Sequence, residues 1–264
     1  MRMPAAKMYL FLLGLAVVVM GLSGLMLREI SCAKRAERRA WCCSHLKMIA
    51  TALQNYHDVH GCFPPSCTLD RAGKPMHSWR VLLLPYLGES DLYARYRLDE
   101  PWNSENNRRL AKLSTECYRC PADTSAAEGT TSYLAVVGPH AAWRKEKALR
   151  MSDITDGISY TIMLVEVSDS GINWMEPRDL SFDEAAARIS AGLSPDGKLG
   201  IRSRHTSVVN CGFGNVQAHC LEKNISPTLL RGLLTADGRE DVSEFFRREE
   251  ELLPRLIDSA LSEL

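Results

Sequence analysis

The sequence lacks both a net charge and any familiar catalytic motif. Its 32 Lys and Arg residues balance 32 Asp and Glu residues. Because a nucleic-acid binder normally carries a basic excess on one face, we expect no nucleic-acid partner. There is no Gly-x-Ser-x-Gly, no glycine-rich phosphate loop and no His-Glu-x-x-His. The sequence therefore predicts a protein that is not an enzyme, with no catalytic residues, no metal ligands and no cofactor.

Charged residues are also missing from residues 8–27, which are almost wholly apolar. About 20 such residues in a helix cross the hydrocarbon core of a bilayer. The run is too long for a typical signal-peptide core, and no small-x-small cleavage site follows it. These features favour a retained transmembrane helix over a cleaved signal or a buried soluble helix. We predict a short tail at residues 1–7, a transmembrane helix at residues 8–27, and membrane lipid as a partner.

Two features of the sequence disagree about the side of the membrane on which the rest of the chain lies. The nine cysteines are more typical of an oxidising compartment. More basic residues follow the span than precede it, which favours a cytoplasmic C-terminal domain. These basic residues are Arg2 and Lys7 before the span, and Arg28, Lys34, Arg35, Arg38 and Arg39 after it.

Glycine and proline are absent from residues 33–58, so the helix is expected to continue beyond the membrane. Gly61 can end it. A striped helix needs something to cover its apolar side, and we expect residues 28–240 to do so as one domain. The stripe consists of four apolar residues spaced three or four apart, which fall on one side of the helix: Leu46, Ile49, Leu53 and Tyr56.

Strand signals dominate the second half of the chain. The near-continuous apolar run at residues 160–165 is typical of a central strand. A β-hairpin is predicted within residues 207–221. Gly214-Asn215 would form a two-residue turn, which places Cys211 opposite Ala218.

The remaining segments carry weaker signals. Residues 63–78 contain several prolines and a glycine and are predicted to form a loop. Ser104 and Ser181 are predicted to cap short helices. Residues 241–264 are predicted to form an amphipathic C-terminal helix, which would pack on the domain or, alternatively, bind a partner. Three carboxylates are interpreted as turn or edge residues: Asp153, Asp156 and Glu166.

Six of the cysteines form three close pairs in the sequence. If the domain is exported, local disulfides are the direct interpretation. Free buried thiols are the first alternative. The second is a zinc site made from the first two pairs, although only Cys117 and Cys120 have the tight spacing that zinc sites usually show. The pairs are Cys62 with Cys67, Cys117 with Cys120, and Cys211 with Cys220.

Three histidines, His57, His60 and His77, lie near one another in the sequence, with Asp58 between the first two. Such a group can bind a divalent metal. A histidine at a helix end is more often solvated or hydrogen-bonded to a carbonyl, and no third ligand has convincing spacing. We therefore predict no metal site at these residues.

Several segments match a known sequence signature in the same order. They include residues 46–65, Ser78-Trp79-Arg80, Cys120-Pro121-Ala122-Asp123 and Trp174-x-Glu176-Pro177-x-Asp179-Leu180. Over about residues 41–240 the chain resembles a large planctomycete family of pseudopilin-like proteins of unknown function. The residues that match the family's motifs, or stand at a motif position, are Asn55, Tyr56, His57, Asp58, Gly61, Pro64, Pro65, Trp79, Asp156, Gly157, His205 and Asn215.

The resemblance implies an α+β, type IV pilin-like fold. In that fold a long N-terminal helix, first transmembrane and then packed, lies against an antiparallel sheet with extra short helices and a C-terminal helix. It also implies a soluble domain outside the cytoplasm, in the cell envelope, which outweighs the count of basic residues. Pseudopilins or secretion-type proteins would then be the protein partners.

The chain departs from the family pattern at two places. It has neither the prepilin peptidase site nor the Phe-Thr-Leu-x-Glu start of family members, which puts processing and filament assembly in doubt. The family's His-x9-Asp-Gly motif keeps His205, but Asn215-Val216 stand where Asp-Gly is expected. We interpret the hairpin as having moved its glycine one place earlier, to Gly214.

The sequence favours a membrane-anchored, pseudopilin-like envelope protein with a structural or interaction role, within a secretion- or transport-type assembly. The first alternative is an envelope module that binds a solute or glycan without catalysis, and a metalloenzyme is the second. Such a module would use the aromatic-rich loops around Trp79, Trp102 and Trp174.

Overall fold

The computed structural model describes residues 5–113, 115–145, 147–187, 189–190, 199–206 and 208–250. Within them, residues 5–37 and 250 form one compact unit and residues 38–249, the main unit, form another. The helices are α1 (Ala5–His60), α2 (Trp79–Leu82), α3 (Ser90–Arg95), α4 (Glu105–Arg108), α5 (Phe182–Ala187) and α6 (Pro227–Leu234), with 3-10 turns at Leu84–Leu87, Glu116–Tyr118 and Met151–Asp153. The strands are β1 (Cys67–Leu69), β2 (Pro75–Ser78), β3 (Tyr133–Leu134), β4 (Val136–Val137), β5 (Ile162–Glu166), β6 (Leu180–Ser181), β7 (Ile189–Ser190), β8 (Ile201–Arg202), β9 (Val208–Phe213) and β10 (Ala218–Glu222).

The first unit consists of the N-terminal part of α1. Its large apolar side chains are exposed, for example Leu13 at 65% and Met26 at 68%. By length and composition, α1 is the one helix among the described residues that is apolar enough to cross a membrane. This agrees with a membrane anchor or a signal sequence.

In the main unit, α1 carries the predicted apolar stripe. Leu46 and Ile49 are fully buried and Leu53 is 2% exposed, while Tyr56 is half-buried. The helix ends at His60, as predicted. Gly61 adopts φ +73 and its amide donates to the carbonyl of His57 at 2.7 Å, which closes the last turn.

The sheet that α1 packs against has four antiparallel strands in the order β10-β9-β5-β3. Tyr133 pairs with Glu166, and Val165 pairs with Cys211. All five residues of β5 are buried, which confirms the predicted central strand. A long N-terminal helix against an antiparallel sheet, with short helices around them, confirms the predicted α+β class.

Two layers of apolar side chains cover the two faces of the sheet. On one face, Leu46 of α1 approaches Gly212 of β9, and the stripe of α1 packs with the α2 region. On the other face, α5 and α6 pack with the remaining sheet residues. Helix α6 was not predicted from the sequence, although Ser226 caps it and Pro227 occupies its first turn.

The structure corrects the prediction for residues 63–78. They contain a short antiparallel hairpin, β1 with β2, in which Cys67 pairs with Ser78. Asp70 forms the connecting turn by accepting the amides of Ala72 and Lys74, each at 2.8 Å. A carboxylate that accepts hydrogen bonds from nearby amides stabilises a turn. The two strands were not predicted because they are too short to show alternating apolar and polar residues.

The predicted register of the second hairpin is also wrong. Cys211 pairs with His219 rather than with Ala218, because the loop contains three residues, 214–216. Val216 adopts φ +67, whereas Gly214 is not in the left-handed region. A Cβ on Gly214 would lie 2.4 Å from Ile158, so this glycine permits close packing against Ile158. It does not provide the positive φ of the hairpin loop, as had been interpreted from the sequence.

Both predicted caps are present. Ser104 accepts the amide of Asn107 at 3.1 Å, although α4 ends at Arg108. The Ser181 hydroxyl accepts the amide of Glu184, whose carboxylate accepts in return from Ser181. The predicted helix at residues 241–264 lies largely outside the described residues. Within the described part of this segment, residues 243–250 are helical.

Candidate metal centre

Four metal-ligating side chains meet where α1 lies against the sheet. Cys42 comes from α1, Cys120 follows the 3-10 turn after α4, Glu166 ends β5, and His205 precedes β9. All four are buried, and their ligand atoms lie within 4.8 Å of one another. Cys120 Sγ is 3.6 Å from His205 Nε2, which is 3.8 Å from Glu166 Oε1. We call these four residues the buried tetrad.

Two neighbouring side chains orient the tetrad. The hydroxyl of Tyr133 and the side-chain amide of Asn210 each donate to Cys42 Sγ at 3.1 Å. Asn210 also donates to Glu166 Oε2, from its backbone at 3.2 Å and from its side chain at 3.3 Å. The other oxygen, Glu166 Oε1, has no hydrogen-bond partner among the described residues. Asn210 therefore holds one oxygen of the Glu166 carboxylate, while the other oxygen faces His205.

The tetrad has an unusual protonation pattern. Burial raises the pKa of Glu166 to about 7 and raises the pKa of Cys42 well above its usual value. Burial, assisted by the charges of Arg39 and Lys223, lowers the pKa of His205 to about 4. The imidazole is therefore neutral at neutral pH, with a lone pair available.

A second group of thiols lies on the other side of Asn210. Cys43 and Cys220 each donate to the Asn210 side-chain oxygen at 3.4 Å. The neighbouring Cys220 thiol lowers the pKa of Cys43, and Cys43 in turn raises the pKa of Cys220. Asn210 thus contacts both groups: Cys42 and Glu166 of the tetrad, and the thiols of Cys43 and Cys220.

The three predicted disulfides are not formed in the structure. Cys117 contacts the Thr115 hydroxyl at 3.0 Å, whereas Cys120 faces His205. Cys211 donates to the carbonyl of His219 at 3.4 Å. Cys62 and Cys67 flank the buried entry into β1. The zinc alternative joined the wrong residues, because among the described residues only Cys120 of that set belongs to a ligand cluster.

The three histidines singled out in the sequence have separate partners. His57 Nε2 accepts the amide of Met151 at 3.2 Å, and His60 contacts the Tyr86 hydroxyl at 3.0 Å. His77 is 3% exposed and lies between the Tyr96 hydroxyl at 2.8 Å and the Leu98 carbonyl at 3.0 Å. They do not form a cluster, and each has a hydrogen-bonding role.

Most of the motif residues shape the backbone. At the end of α1, Asn55 and Asp58 are exposed, Tyr56 packs on Tyr86, and Pro64 and Pro65 follow in the loop. Asp156 accepts the amides of Gly238 and Arg239 at 2.8 and 2.9 Å, and Gly157 adopts φ +96. Asn215 accepts the amide of Gln217 in the hairpin loop. His205, together with Cys120 of the matched segment at residues 120–123, belongs to the tetrad.

Asp179 organises the buried polar contacts around Trp79 and Arg80. Asp179 accepts from Arg80 Nη2 at 2.5 Å, from the Trp79 indole at 3.1 Å and from the backbone amide of Ala135 at 2.8 Å. Burial raises the pKa of Asp179 against the opposing effect of Arg80. Since every partner of Asp179 is a donor, the ionised carboxylate is the form that fits this site.

The tryptophans that were suggested to bind a glycan or solute are largely buried. Trp79 and Trp174 are fully buried, and only Trp102 is half-buried. Aromatic rings bind sugars or solutes through an accessible face, so these residues serve the core. A surface cavity of about 630 Å³ lies elsewhere in the main unit, lined by Phe182, Arg231, His140 and Asp237 among others.

The interpretation of Glu166 as a turn or edge residue is wrong. Glu166 is fully buried at the end of the central strand. The sequence did contain a signal, because a carboxylate that directly follows a fully apolar strand has no route to solvent unless the strand is at an edge. Cys42 carried no such signal, since its partners are distant in the sequence.

Comparison with known proteins gives a match over part of the chain to a family without a known role. Residues 32–148 match the model of a family described as "Protein of unknown function (DUF1559)". This segment contains Cys42 and Cys120 but neither Glu166 nor His205. No curated protein and no solved structure matches the chain.

Proposed function

We propose that this protein is a membrane-anchored, pseudopilin-like protein of the cell envelope with a structural or interaction role. The observation that carries the proposal is a change in the exposure of apolar side chains along α1. The large apolar side chains from Leu13 to Ile30 are exposed, whereas those from Cys42 to Leu53 that face the sheet are buried. Exposed apolar surface of this extent is stable only when lipid or protein covers it.

The proposal includes a location for the main unit outside the cytoplasm, with pseudopilin or secretion-type proteins as partners. The motif resemblance over residues 41–240 supports this. The match of residues 32–148 to a family of unknown function is compatible with it and leaves the role open. A non-enzymatic role is supported by the contacts of two motif-region carboxylates, because Asp156 and Asp179 each accept a hydrogen bond from a backbone amide.

Membrane retention and topology test the first half of the proposal. We expect the full chain to stay with membranes after alkaline carbonate washing and to be cleaved by protease added to spheroplasts. A Leu15→Arg, Val18→Arg, Leu22→Arg variant should leave the membrane fraction, since each Arg near a span centre costs about 2.5–3.5 kcal/mol. Met48→Arg, on the exposed side of the same helix, is the matched control. Release of the unmodified chain by carbonate would contradict the proposal.

In-membrane cross-linking tests the interaction role. We expect the full chain, extracted in mild detergent, to migrate in a defined complex larger than its monomer that contains other single-span envelope proteins. A chain that sediments as an isolated monomer, with no cross-linked product before extraction, would contradict this role.

A solute-binding role is the second candidate, and the surface cavity beside Phe182 is the observation that favours it. Its volume of about 630 Å³ is typical of small-molecule sites. Arg231 lies over the Phe182 ring at 5.1 Å and offers a charged group beside an apolar one. A thermal-shift screen with sugars and small anions would support this role if a ligand stabilises the unmodified chain but not Arg231→Ala.

A further inference from the structure

We propose that Cys42, Cys120, Glu166 and His205 bind one divalent metal ion of the zinc type in a closed, tetrahedral, structural site. The proposal does not depend on the function proposed above. It rests on where four separate segments place their ligand atoms, and the following observations support it.

The separations between the ligand atoms are those of a zinc site. Ligands held 2.0–2.3 Å from a tetrahedral zinc ion are about 3.3–3.8 Å from one another. Cys120 Sγ and His205 Nε2 are 3.6 Å apart, and His205 Nε2 and Glu166 Oε1 are 3.8 Å apart. The largest separation in the set is no more than 4.8 Å, so shifts of about an ångström would close the site.

The hydrogen bonds around the tetrad suit ligands of a bound metal. Cys42 Sγ accepts from both Tyr133 and Asn210, and these two donors would stabilise the thiolate that forms when a metal displaces its proton. Glu166 Oε2 is satisfied by Asn210, while the fully buried Oε1 is aimed at His205 and has no hydrogen-bond partner among the described residues. A buried carboxylate oxygen without a donor is costly unless it binds a cation.

The ligand types select the metal. Two thiolates, an imidazole and a carboxylate suit zinc, and hard cations such as calcium or magnesium prefer oxygen ligands alone. Two thiolates and a carboxylate exceed the charge of a divalent ion by one negative charge. Arg39 and Lys223, whose charges reach His205, offset that excess.

A structural role follows from the position of the site. All four coordination positions are filled by the protein, which is typical of structural zinc rather than of catalytic zinc. The ion would join α1, the loop at Cys120, the end of β5 and the loop before β9. Lys223 already fixes the last of these by donating to the carbonyls of His205 and Ser203 at 2.6 and 3.2 Å.

Metal analysis of the purified full chain tests the proposal. The chain is produced in zinc-containing medium with a tag that contains no histidine, and metals are measured by mass spectrometry. We expect about one zinc ion per chain, falling to about a tenth or less in Cys120→Ser and His205→Gln. Cys117→Ser and His77→Gln are matched controls, since each is a buried residue of the same type outside the tetrad, and both should keep their zinc.

Asn210→Ala adds a graded test, because loss of a ligand-orienting group should weaken zinc binding about 10–100-fold without abolishing it. If the ligand variants do not fold, the unmodified chain decides. It should release zinc when a mercurial reagent modifies its thiols, and it should show the visible spectrum of tetrahedral cobalt–thiolate when reloaded with cobalt. Zinc-free protein, whether Cys42 and Cys120 are thiols or joined by a disulfide, would overturn the proposal. Equal zinc loss from Cys117→Ser and Cys120→Ser would also overturn it.

Discussion

Replacing Asp179 by alanine should be among the most destabilising single changes in the main unit. Arg80 is fully buried, and the Asp179 side chain is 3% exposed. Removing one partner of a buried ion pair typically costs about 3–5 kcal/mol. The Trp79 indole and the Ala135 amide would also lose their acceptor, at about 1–3 kcal/mol each. Because these costs overlap, we expect a total loss of about 4–6 kcal/mol, a large share of the 5–15 kcal/mol typical of a domain.

Asp179→Asn should cost less, about 2–3 kcal/mol, because it keeps one acceptor oxygen for these donors, although it removes the charge and replaces the second oxygen by an NH2 group. Urea unfolding of the full chain in detergent, followed by tryptophan fluorescence, measures both. The assay is well suited to this chain, since Trp79, Trp143 and Trp174 are buried and become exposed on unfolding. Asp183→Ala, at an exposed position nearby, should change stability by no more than about 0.5 kcal/mol.

A double variant separates the ion pair from simple loss of packing. Replacing Arg80 by Met and Asp179 by Leu removes both charges and keeps apolar volume, so it should be more stable than Asp179→Ala alone. If Asp179→Ala costs less than about 1 kcal/mol, the carboxylate is not the acceptor on which these donors depend, and the reasoning is refuted. If the double variant is no more stable, the loss does not come from an unpaired Arg80.

Three further predictions concern other parts of the main unit. Val216→Gly should stabilise the chain by about 0.5–1 kcal/mol in thermal unfolding, because a β-branched residue at φ +67 is strained, whereas Gln217→Gly should not. Leu46→Ala should cost about 2–5 kcal/mol in urea unfolding, and Met48→Ala, at an exposed position, about 0.5 or less. Burial lowers the pKa of His77, so its neutral form stabilises the fold above about pH 6.5. This contribution should be lost as the pH falls through the folded-state pKa, and His77→Gln should flatten the acid side of the pH–stability profile.

The parts of the fold that could be predicted from the sequence depend on local periodicity. The stripe of α1 repeats at helical spacing, and β5 is apolar at every position before Glu166, so each element is determined by its own residues. The caps at Ser104 and Ser181 are local in the same way. The predicted length of the hairpin loop was wrong by one residue. A three-residue loop forms instead of a two-residue turn because Val216 adopts a positive φ, which its side chain does not signal in the sequence.

The tetrad could not be predicted because none of its distances is local. Cysteine spacing suggested neighbours in the sequence as partners, yet Cys120 faces His205, and Cys42 lies against Tyr133 and Asn210. Such contacts depend on the sheet register and on the position of α1 across it. Local disulfides were the direct interpretation of the spacing, and tertiary structure placed the thiols elsewhere.

The buried polar contacts also explain why α1 occupies one position on the sheet. An apolar stripe with helical period can slide by a turn and still bury leucine against the same face, so burial alone specifies register weakly. Cys42 accepts from Tyr133 and Asn210, and Cys43 donates to Asn210, only when α1 is at one height and one rotation. Gln54 adds a hydrogen bond to the carbonyl of Gly214 two turns beyond Leu46. Apolar burial therefore supplies the stability of this packing, while a small polar set around Asn210 selects its register.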